Sequence, residues 1–150
     1  QITFRGGIIK QDNFIIYVRR DHGSKQLTDY KIHCFNGTPK VILVCKDRYS
    51  ADGMSEDFYT TEWTHIAVKR PKKRNSTNGI PKPIELEKML DISRWISRDI
   101  PFVRVDFYIV DNHIYFGELT LYPASGFEIF EPNDYDYKLG EYLNLSTSQV

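Results

Sequence analysis

The dipeptide Asn36-Gly37 constrains the fold of this chain more than any other short feature. It separates two apolar runs, residues 29–35 (DYKIHCF) and 39–46 (PKVILVCK). Asn-Gly between two such runs is typical of a tight β-hairpin, because both residues readily adopt the positive φ angles that the turn requires. We therefore predict two antiparallel strands, in a sheet whose apolar face needs a second layer to cover it.

Other segments show the same strand character. Residues 13–19 (NFIIYVR) are expected to form a strand, with weaker strand character around Phe58–Tyr59 and Trp63–Val68. Residues 102–110 (FVRVDFYIV) and 114–121 (IYFGELTL) predict a second hairpin near the end of the chain.

One clear helix is predicted over residues 84–98 (IELEKMLDISRWISR), where apolar residues recur at spacings of three and four. Pro83 precedes this segment and Pro101 ends it. The tail beyond Pro132 is expected to hold one short helix. The order of elements predicts an α+β fold in a single domain over 1–150, with a mainly antiparallel sheet and one or two helices packed on one face.

The composition excludes some classes of function. Twenty basic and twenty acidic residues cancel, so the chain lacks the overall basic charge typical of nucleic-acid-binding proteins. Six basic residues are concentrated in residues 69–83 (KRPKKRNSTNGIPKP), which three prolines mark as a loop. We interpret this basic run as solvated surface, with a nuclear-localisation signal as the alternative. No apolar run approaches the roughly 20 residues of a membrane span.

The two cysteines are expected to remain unpaired. In the predicted hairpin Cys34 lies near the turn and Cys45 about eight residues beyond it, so they do not face each other. The first residues lack the layout of a signal peptide. Two buried free thiols in such a chain predict a reducing compartment and a cytoplasmic location.

The strand 102–110 has one apolar and one polar face. Alternation places Arg104 and Asp106 on the polar face, and on the partner strand Glu118 and Thr120 share a face. The apolar sides of both strands should enter the same core, so these four polar side chains are expected to converge. The residues expected to point into the core are Val103, Val105, Phe107, Ile109, Leu119 and Leu121.

This convergence places a condition on the turn between the strands. A three-residue loop, Asp111-Asn112-His113, closed by Val110 and Ile114 puts Asp106 and Glu118 on one face. A two-residue turn does so only if a β-bulge corrects the register.

Two carboxylates beside an arginine suit a hard divalent cation. Mg²⁺ takes oxygen ligands and is commonly bound by one or two carboxylates together with substrate phosphates. One alternative is a surface ladder of salt bridges, for example Arg104 with Glu118. Another is a metal-dependent nuclease of the Asp…Glu-x-Lys type, which requires a lysine where Thr120 stands.

The run RVDFYIVDNHIYFGELTLYPASGF, residues 104–127, resembles the closing motif of ATP-grasp enzymes. The G-E-L-T sequence followed by Pro and S-G-F is similar to one branch, the TupA-like proteins of teichuronopeptide biosynthesis. DYKIHCFNGTPKVILV, the Asp47-Arg48 pair, the Trp63 region and the tail FEIFEPNDYDYKLGEYLNL resemble the same branch. The resemblance covers roughly residues 28 to 145.

The resemblance implies roles for the hairpin residues. Asp106 and Glu118 would bind Mg²⁺, with Thr120, where many members have Asn, as a weaker oxygen ligand. Arg104 would contact a phosphate or acyl-phosphate as a catalytic residue. Lys31, the second catalytic residue implied, would contact ATP or substrate from a strand that faces the nucleotide.

Two further pairs of residues correspond to nucleotide contacts of the family. Tyr17 and Val18 fall in the hinge whose backbone holds adenine. Ser125 and Gly126 fall in a loop that borders the transferred phosphoryl group.

The implied activity is ATP-dependent carboxylate–amine ligation with Mg²⁺, acting on small or polysaccharide-linked acids and an amine acceptor in bacterial surface-polysaccharide biosynthesis. The resemblance also implies gene neighbourhoods that could lead such a protein to be labelled a glycosyltransferase, although the site itself does not support that label. No glycine-rich phosphate loop such as G-x-x-x-x-G-K-[ST] is present. We therefore expect the C-terminal half of an ATP-grasp fold; the alternative is a catalytically inactive, truncated module that binds polysaccharide or protein.

Overall fold

The computed structural model describes residues 27–145 in full and, before them, the backbone of three short strands. The strands are β1 Thr3–Arg5, β2 Ile8–Gln11, β3 Phe14–Val18, β4 Asp29–Phe35, β5 Thr38–Lys46, β6 Ser55–Thr60, β7 His65–Ile66, β8 Phe102–Val110 and β9 His113–Thr120. The helices are α1 Leu86–Ser97, α2 Tyr135–Gly140 and a short 3₁₀ helix, Pro123–Gly126.

All nine strands of the described residues belong to one sheet, in the order β1-β2-β3-β9-β8-β4-β5-β6-β7. Every neighbouring pair is antiparallel except β3 and β9, which are parallel. The mainly antiparallel α+β fold is therefore confirmed. β1 and β2 were not predicted from the sequence, and the strand expected around residues 63–68 is only the two residues of β7.

The two helices lie on opposite faces of the sheet, so the prediction that helices cover one face is wrong. On one face α1 packs against alternate residues of β4, β5 and β8, with Ile32, Ile42 and Val105 fully buried. On the other face α2 covers Phe58 and the outer part of β5 through Tyr135. The strands β5 and β6 are buried on both faces, so each face needs its own cover.

Helix α1 begins two residues later than expected. The carbonyl of Pro83 accepts a hydrogen bond from the backbone N–H of Leu86, which closes a turn before the helix. Ile84 lies in that turn and its side chain is 93% exposed, so it does not belong to the buried stripe. Leu86, Met89 and Leu90, which recur at the predicted spacings of three and four, are buried.

Two leucines of the closing hairpin, which alternation predicted to point into the core, are exposed instead. Leu119 is 47% exposed although it pairs with the fully buried Val105, and Leu121 is 51% exposed. Helix α1 contacts β4, β5 and β8, so this end of β9 extends beyond the layer that covers its neighbours.

Residues 69–83 form no named strand or helix, as predicted for a loop. The loop is not simply solvated surface, because Arg70 donates two hydrogen bonds to Glu56, at 2.6 and 2.5 Å, and a third to Glu128. Glu56 is fully buried. A buried carboxylate requires a paired cation, so the basic loop supplies a structural ion pair.

Cys34 and Cys45 are both buried free thiols, which confirms the absence of a disulfide between them. Cys34 pairs with Pro39 across the first hairpin, whereas Cys45 pairs with Asp29 at its far end. Burial raises the pKa of Cys34 to about 11 and that of Cys45 to about 12, so both thiols stay protonated near neutral pH. Among the described residues, no helix is both long and apolar enough to cross a membrane.

Candidate functional site

The turn that joins β8 and β9 differs from the preferred expectation. It has two residues, Asp111 and Asn112, closed by the pair Val110–His113. Their φ values are +49° and +59°, as a tight hairpin turn of this kind requires. The predicted three-residue loop is wrong, because two residues that tolerate positive φ already reverse the chain.

A β-bulge restores the register, which is the alternative that the sequence left open. Phe107 pairs with Phe116 and Val105 with Leu119, so Gly117 and Glu118 together oppose Asp106. A Cβ atom on Gly117 would lie 2.9 Å from a ring carbon of Tyr108 and 3.1 Å from the carbonyl oxygen of Asp106. Only glycine fits at this position without displacing its neighbours.

Asp106 lies at the centre of an ion-pair network on the face of the sheet opposite α1. Its side chain is 2% exposed. Oδ2 accepts a hydrogen bond from the ammonium of Lys31 at 2.5 Å, and Arg104 donates to both carboxylate oxygens, at 2.7 and 2.8 Å. Lys31 and Asp106 are directly opposite each other on β4 and β8. Two cations thus compensate one buried carboxylate.

The network reaches the surface at Glu118. Arg104 donates to Glu118 at 2.8 Å, and the hydroxyl of Thr120 donates to the same oxygen at 3.1 Å. The side chain of Glu118 is 62% exposed, whereas that of Arg104 is 12% exposed. The Arg104–Glu118 salt bridge of the alternative interpretation therefore exists, but the ladder continues into a buried carboxylate and is not only a surface feature.

Sequence reasoning missed the other end of this network. Arg48 donates to Asp29 at 2.7 Å, and Lys31 lies 3.6 Å from the same carboxylate oxygen. Asp29 is 3% exposed. The sequence did place Asp29 on the same face as Lys31, because the two residues are two positions apart on one strand. That Asp29 belongs to the site depends on the pairing of β4 with β8, which no local pattern indicates.

The charges of the network alternate from one end to the other. Three carboxylates (Asp29, Asp106, Glu118) interleave with three cations (Arg48, Lys31, Arg104). Burial opposes the charge of Arg104, but its hydrogen bonds to Asp106 and the negative charges of Asp106 and Glu118 together outweigh this and raise its pKa. Burial, and then the charge of Asp29, raises the pKa of Tyr108 to about 12, so this phenol stays neutral.

A cleft of about 210 Å³ opens beside the network, between the sheet and the segment 123–143. His33, directly opposite Arg104 on β4, forms part of its wall. Gly126 also lines the cleft, whereas Ser125 lies in the adjacent turn with a φ of +57°. Gly126 therefore borders the cleft, and no described contact joins Ser125 or Gly126 to the ion-pair network.

Tyr17 and Val18, the predicted adenine contacts, lie on β3. Their backbones pair in parallel with Tyr115 and Phe116 of β9. In the sheet, β9 and β8 lie between β3 and β4. Their side chains lie outside the described residues.

Fold and site together define an α+β protein with a carboxylate–arginine site carried on a closing hairpin. The chain belongs to the TupA-like ATP-grasp family, whose family model matches residues 9–144. Membership of this family relates the chain to ATP-grasp-type ligases. Searches of curated proteins and of solved structures found no match.

Asp106 and Glu118 are the carboxylates of the site that could contact a metal ion, and a substrate would have to supply further ligands. No cluster of three His, Cys, Asp or Glu side chains that could hold a metal occurs in the described part of the chain. Mg²⁺ does not need such a cluster when substrate phosphates supply the remaining ligands. Lys31 and Arg104, which now compensate Asp106, are the groups that could turn to those phosphates.

Proposed function

We propose that this protein binds Mg-ATP on the polar face formed by β4, β8 and β9. Asp106 and Glu118 would hold the metal, with Thr120 as a weaker ligand. Lys31 and Arg104 would contact phosphate oxygens, and Arg104 would also contact the acyl-phosphate. The backbone at Tyr17 and Val18 would hold adenine, and Ser125 and Gly126 would border the transferred phosphoryl group.

One observation carries the proposal: Arg104 hydrogen-bonds both Asp106 and Glu118, and Lys31 reaches Asp106 from the neighbouring strand. Carboxylates and cations at such close range can exchange partners when a metal and phosphates enter together. The carboxylates would then take the metal and the cations the phosphates, which keeps every buried charge compensated.

The proposed reaction is amide formation in two steps. A substrate carboxylate attacks the γ-phosphorus of ATP, which gives an acyl-phosphate and ADP. An amine then attacks the acyl carbon, phosphate leaves, and the nitrogen loses a proton. Lys31 and Arg104 would stabilise the charge on the transferred phosphoryl group. We assign this chemistry to the decoration of a bacterial surface polysaccharide, in line with the TupA-like relationship.

The first test is a calorimetric titration of Mg-ATP into the wild type, Asp106→Asn and Glu118→Gln. Each substitution should weaken binding about tenfold or more, equivalent to about 1.4 kcal/mol. Glu118→Gln is the safer variant, because its side chain is 62% exposed and the fold does not depend on it. Asp99→Asn, which removes a carboxylate that is 85% exposed after α1, is the matched control and should bind as the wild type does.

The ligase step has its own test. Hydroxylamine traps an acyl-phosphate as a hydroxamate, so ATP, Mg²⁺ and a panel of sugar acids and amino acids can be screened without knowing the natural amine. Hydroxamate that appears only with one acid, and disappears with Arg104→Met, would support the assignment. Binding of Mg-ATP without hydroxamate from any acid would count against it.

A non-catalytic binding module is the second candidate. Both oxygens of Asp106 are already hydrogen-bonded by Lys31 and Arg104, as expected if the network only stabilises the sheet. In that case Mg-ATP would give the same heats with the wild type and with Glu118→Gln, and the magnesium assignment would be lost.

A further inference from the structure

The cleft beside the ion network has mostly apolar walls. It lies between the sheet face that carries Val41 and Phe58 and the segment that runs from the 3₁₀ helix through α2. Its apolar lining is Phe35, Val41, Phe58, Phe102, Pro123, Phe130, Leu139 and Leu143. An apolar wall of this kind favours a ligand that exchanges water contact for van der Waals contact.

The size of the cleft limits what it can hold. Its volume is about 210 Å³, and an apolar protein cavity of about 150 Å³ is large enough to bind benzene. A single six-membered ring with one or two small substituents therefore matches the space.

His33 is the polar group of the wall that has unused hydrogen-bonding capacity. It is 6% exposed, and its Nδ1 is buried without a hydrogen-bond partner among the described residues. A buried polar atom without a partner costs free energy that a ligand can recover. His33 lines the cleft, so its imidazole is the ring that a hydrogen-bonding ligand there would meet.

The charges around the cleft favour an uncharged ligand. Burial, and then the positive charge of Arg104, lowers the pKa of His33 to about 4, so the imidazole is neutral at pH 7. The remaining polar side chains of the lining are Glu128, which is paired with Arg70, and the exposed Asp136. An anion would meet the carboxylate of Asp136 there, and any ion would lose its hydration against apolar walls.

We propose that this cleft binds a neutral, ring-sized apolar group that carries one hydroxyl or similar hydrogen-bonding group facing His33. His33 lies directly opposite Arg104 on the neighbouring strand. If the proposed function is correct, the bound group would be the apolar part of a co-substrate next to the nucleotide. The binding of a neutral apolar group in the cleft does not itself depend on the proposed function.

The test uses three probes that differ only in the substituent opposite a methyl group. p-Cresol carries a hydroxyl, toluene carries none, and p-toluate carries a negative charge. Each is titrated into ¹⁵N-labelled protein and followed by amide chemical shifts. We expect shifts confined to the cleft, with p-cresol bound about tenfold more tightly than toluene and p-toluate bound most weakly.

Two substitutions locate the site. His33→Phe keeps the volume of the ring and removes the polar atoms, so p-cresol should bind this variant no better than toluene does. Leu139→Trp fills the cleft and should abolish binding of both probes. Leu143→Trp, at the half-buried end of the lining, serves the same purpose if the first variant does not fold.

The outcomes separate this inference from the proposed function. Absence of p-cresol binding, or equal affinity of the wild type and His33→Phe for p-cresol, overturns the inference. A Mg-ATP titration of the same samples tests the nucleotide site independently. Leu139→Trp should retain the Mg-ATP affinity of the wild type, because Leu139 touches the cleft and not the ion network.

Discussion

The ammonium of Lys31 lies 2.5 Å from Oδ2 of Asp106, between directly opposed positions of β4 and β8. These strands are far apart in the sequence, so the contact joins the first predicted hairpin to the second. It also places a positive charge beside Asp106, which is buried and cannot be compensated by water.

Lys31→Met should destabilise the fold by about 2–3 kcal/mol. Removing the sole partner of a buried charge typically costs about 3–5 kcal/mol, but Arg104 still pairs with Asp106 in this variant. Urea denaturation measures the change in the free energy of unfolding.

Lys46→Met is the matched control for this prediction. Lys46 is exposed at the end of β5, so its replacement should change stability by no more than about 0.5 kcal/mol. Equal stability of Lys31→Met and Lys46→Met would show that Asp106 does not depend on Lys31.

Gly117→Ala should destabilise the protein by about 1–3 kcal/mol, the usual cost of adding a methyl group where there is no space. The added Cβ would meet the ring of Tyr108 at 2.9 Å and the Asp106 carbonyl oxygen at 3.1 Å. The added methyl group would displace the backbone of the bulge, which sets the position of Glu118. Mg-ATP binding should therefore weaken as well. Thermal unfolding and calorimetry measure the two effects.

Gly140→Ala is the control for the added methyl group. A Cβ at Gly140, the last residue of α2, meets nothing within 4 Å. This variant should be as stable as the wild type or slightly more stable, since alanine favours a helix. If Gly117→Ala proved equally harmless, the bulge would not depend on glycine.

Arg70→Met should be among the most damaging substitutions outside the site, at about 3–5 kcal/mol. Among the described residues it leaves the fully buried Glu56 with one cationic partner, Lys73, whose ammonium lies 3.6 Å away. The exposed pair Arg94–Asp91 on α1 supplies the control, because Arg94→Met should cost about 0.5 kcal/mol or less. Similar urea midpoints for the two variants would contradict a structural role for the basic loop.

Local sequence patterns predicted the strands of the two hairpins well. The bounds of β4 and β8 are those expected from alternation and from the Asn-Gly turn, because each signal acts within a few residues. The convergence of Arg104, Asp106 and Glu118 was also accessible, since it requires only one hairpin.

The rest of the site depends on contacts between distant segments. Pairing of β4 with β8 brings Asp29 and His33 to the site, and nothing in either strand encodes that choice of partner. The exposure of Leu119 was also not predictable from local sequence. It depends on which strands α1 covers and not on alternation along β9. The sequence predicted the bulge at Gly117 only as an alternative. A three-residue turn without a bulge and a two-residue turn with one both place Asp106 and Glu118 on the same face.

His33 predicts a distinct dependence of stability on pH. The pKa of its imidazole is lowered to about 4 in the folded protein by burial and then by Arg104, compared with an ordinary value of 6.5. Between these two values the unfolded chain binds a proton at this residue that the folded chain does not, so stability falls as the pH is lowered through this window. The contribution should be about 2 kcal/mol between pH 7 and pH 5. The wild type should therefore lose about that much more stability than His33→Phe when urea denaturation at the two pH values is compared. Equal losses would mean that His33 takes up its proton in the folded protein as readily as in the unfolded chain.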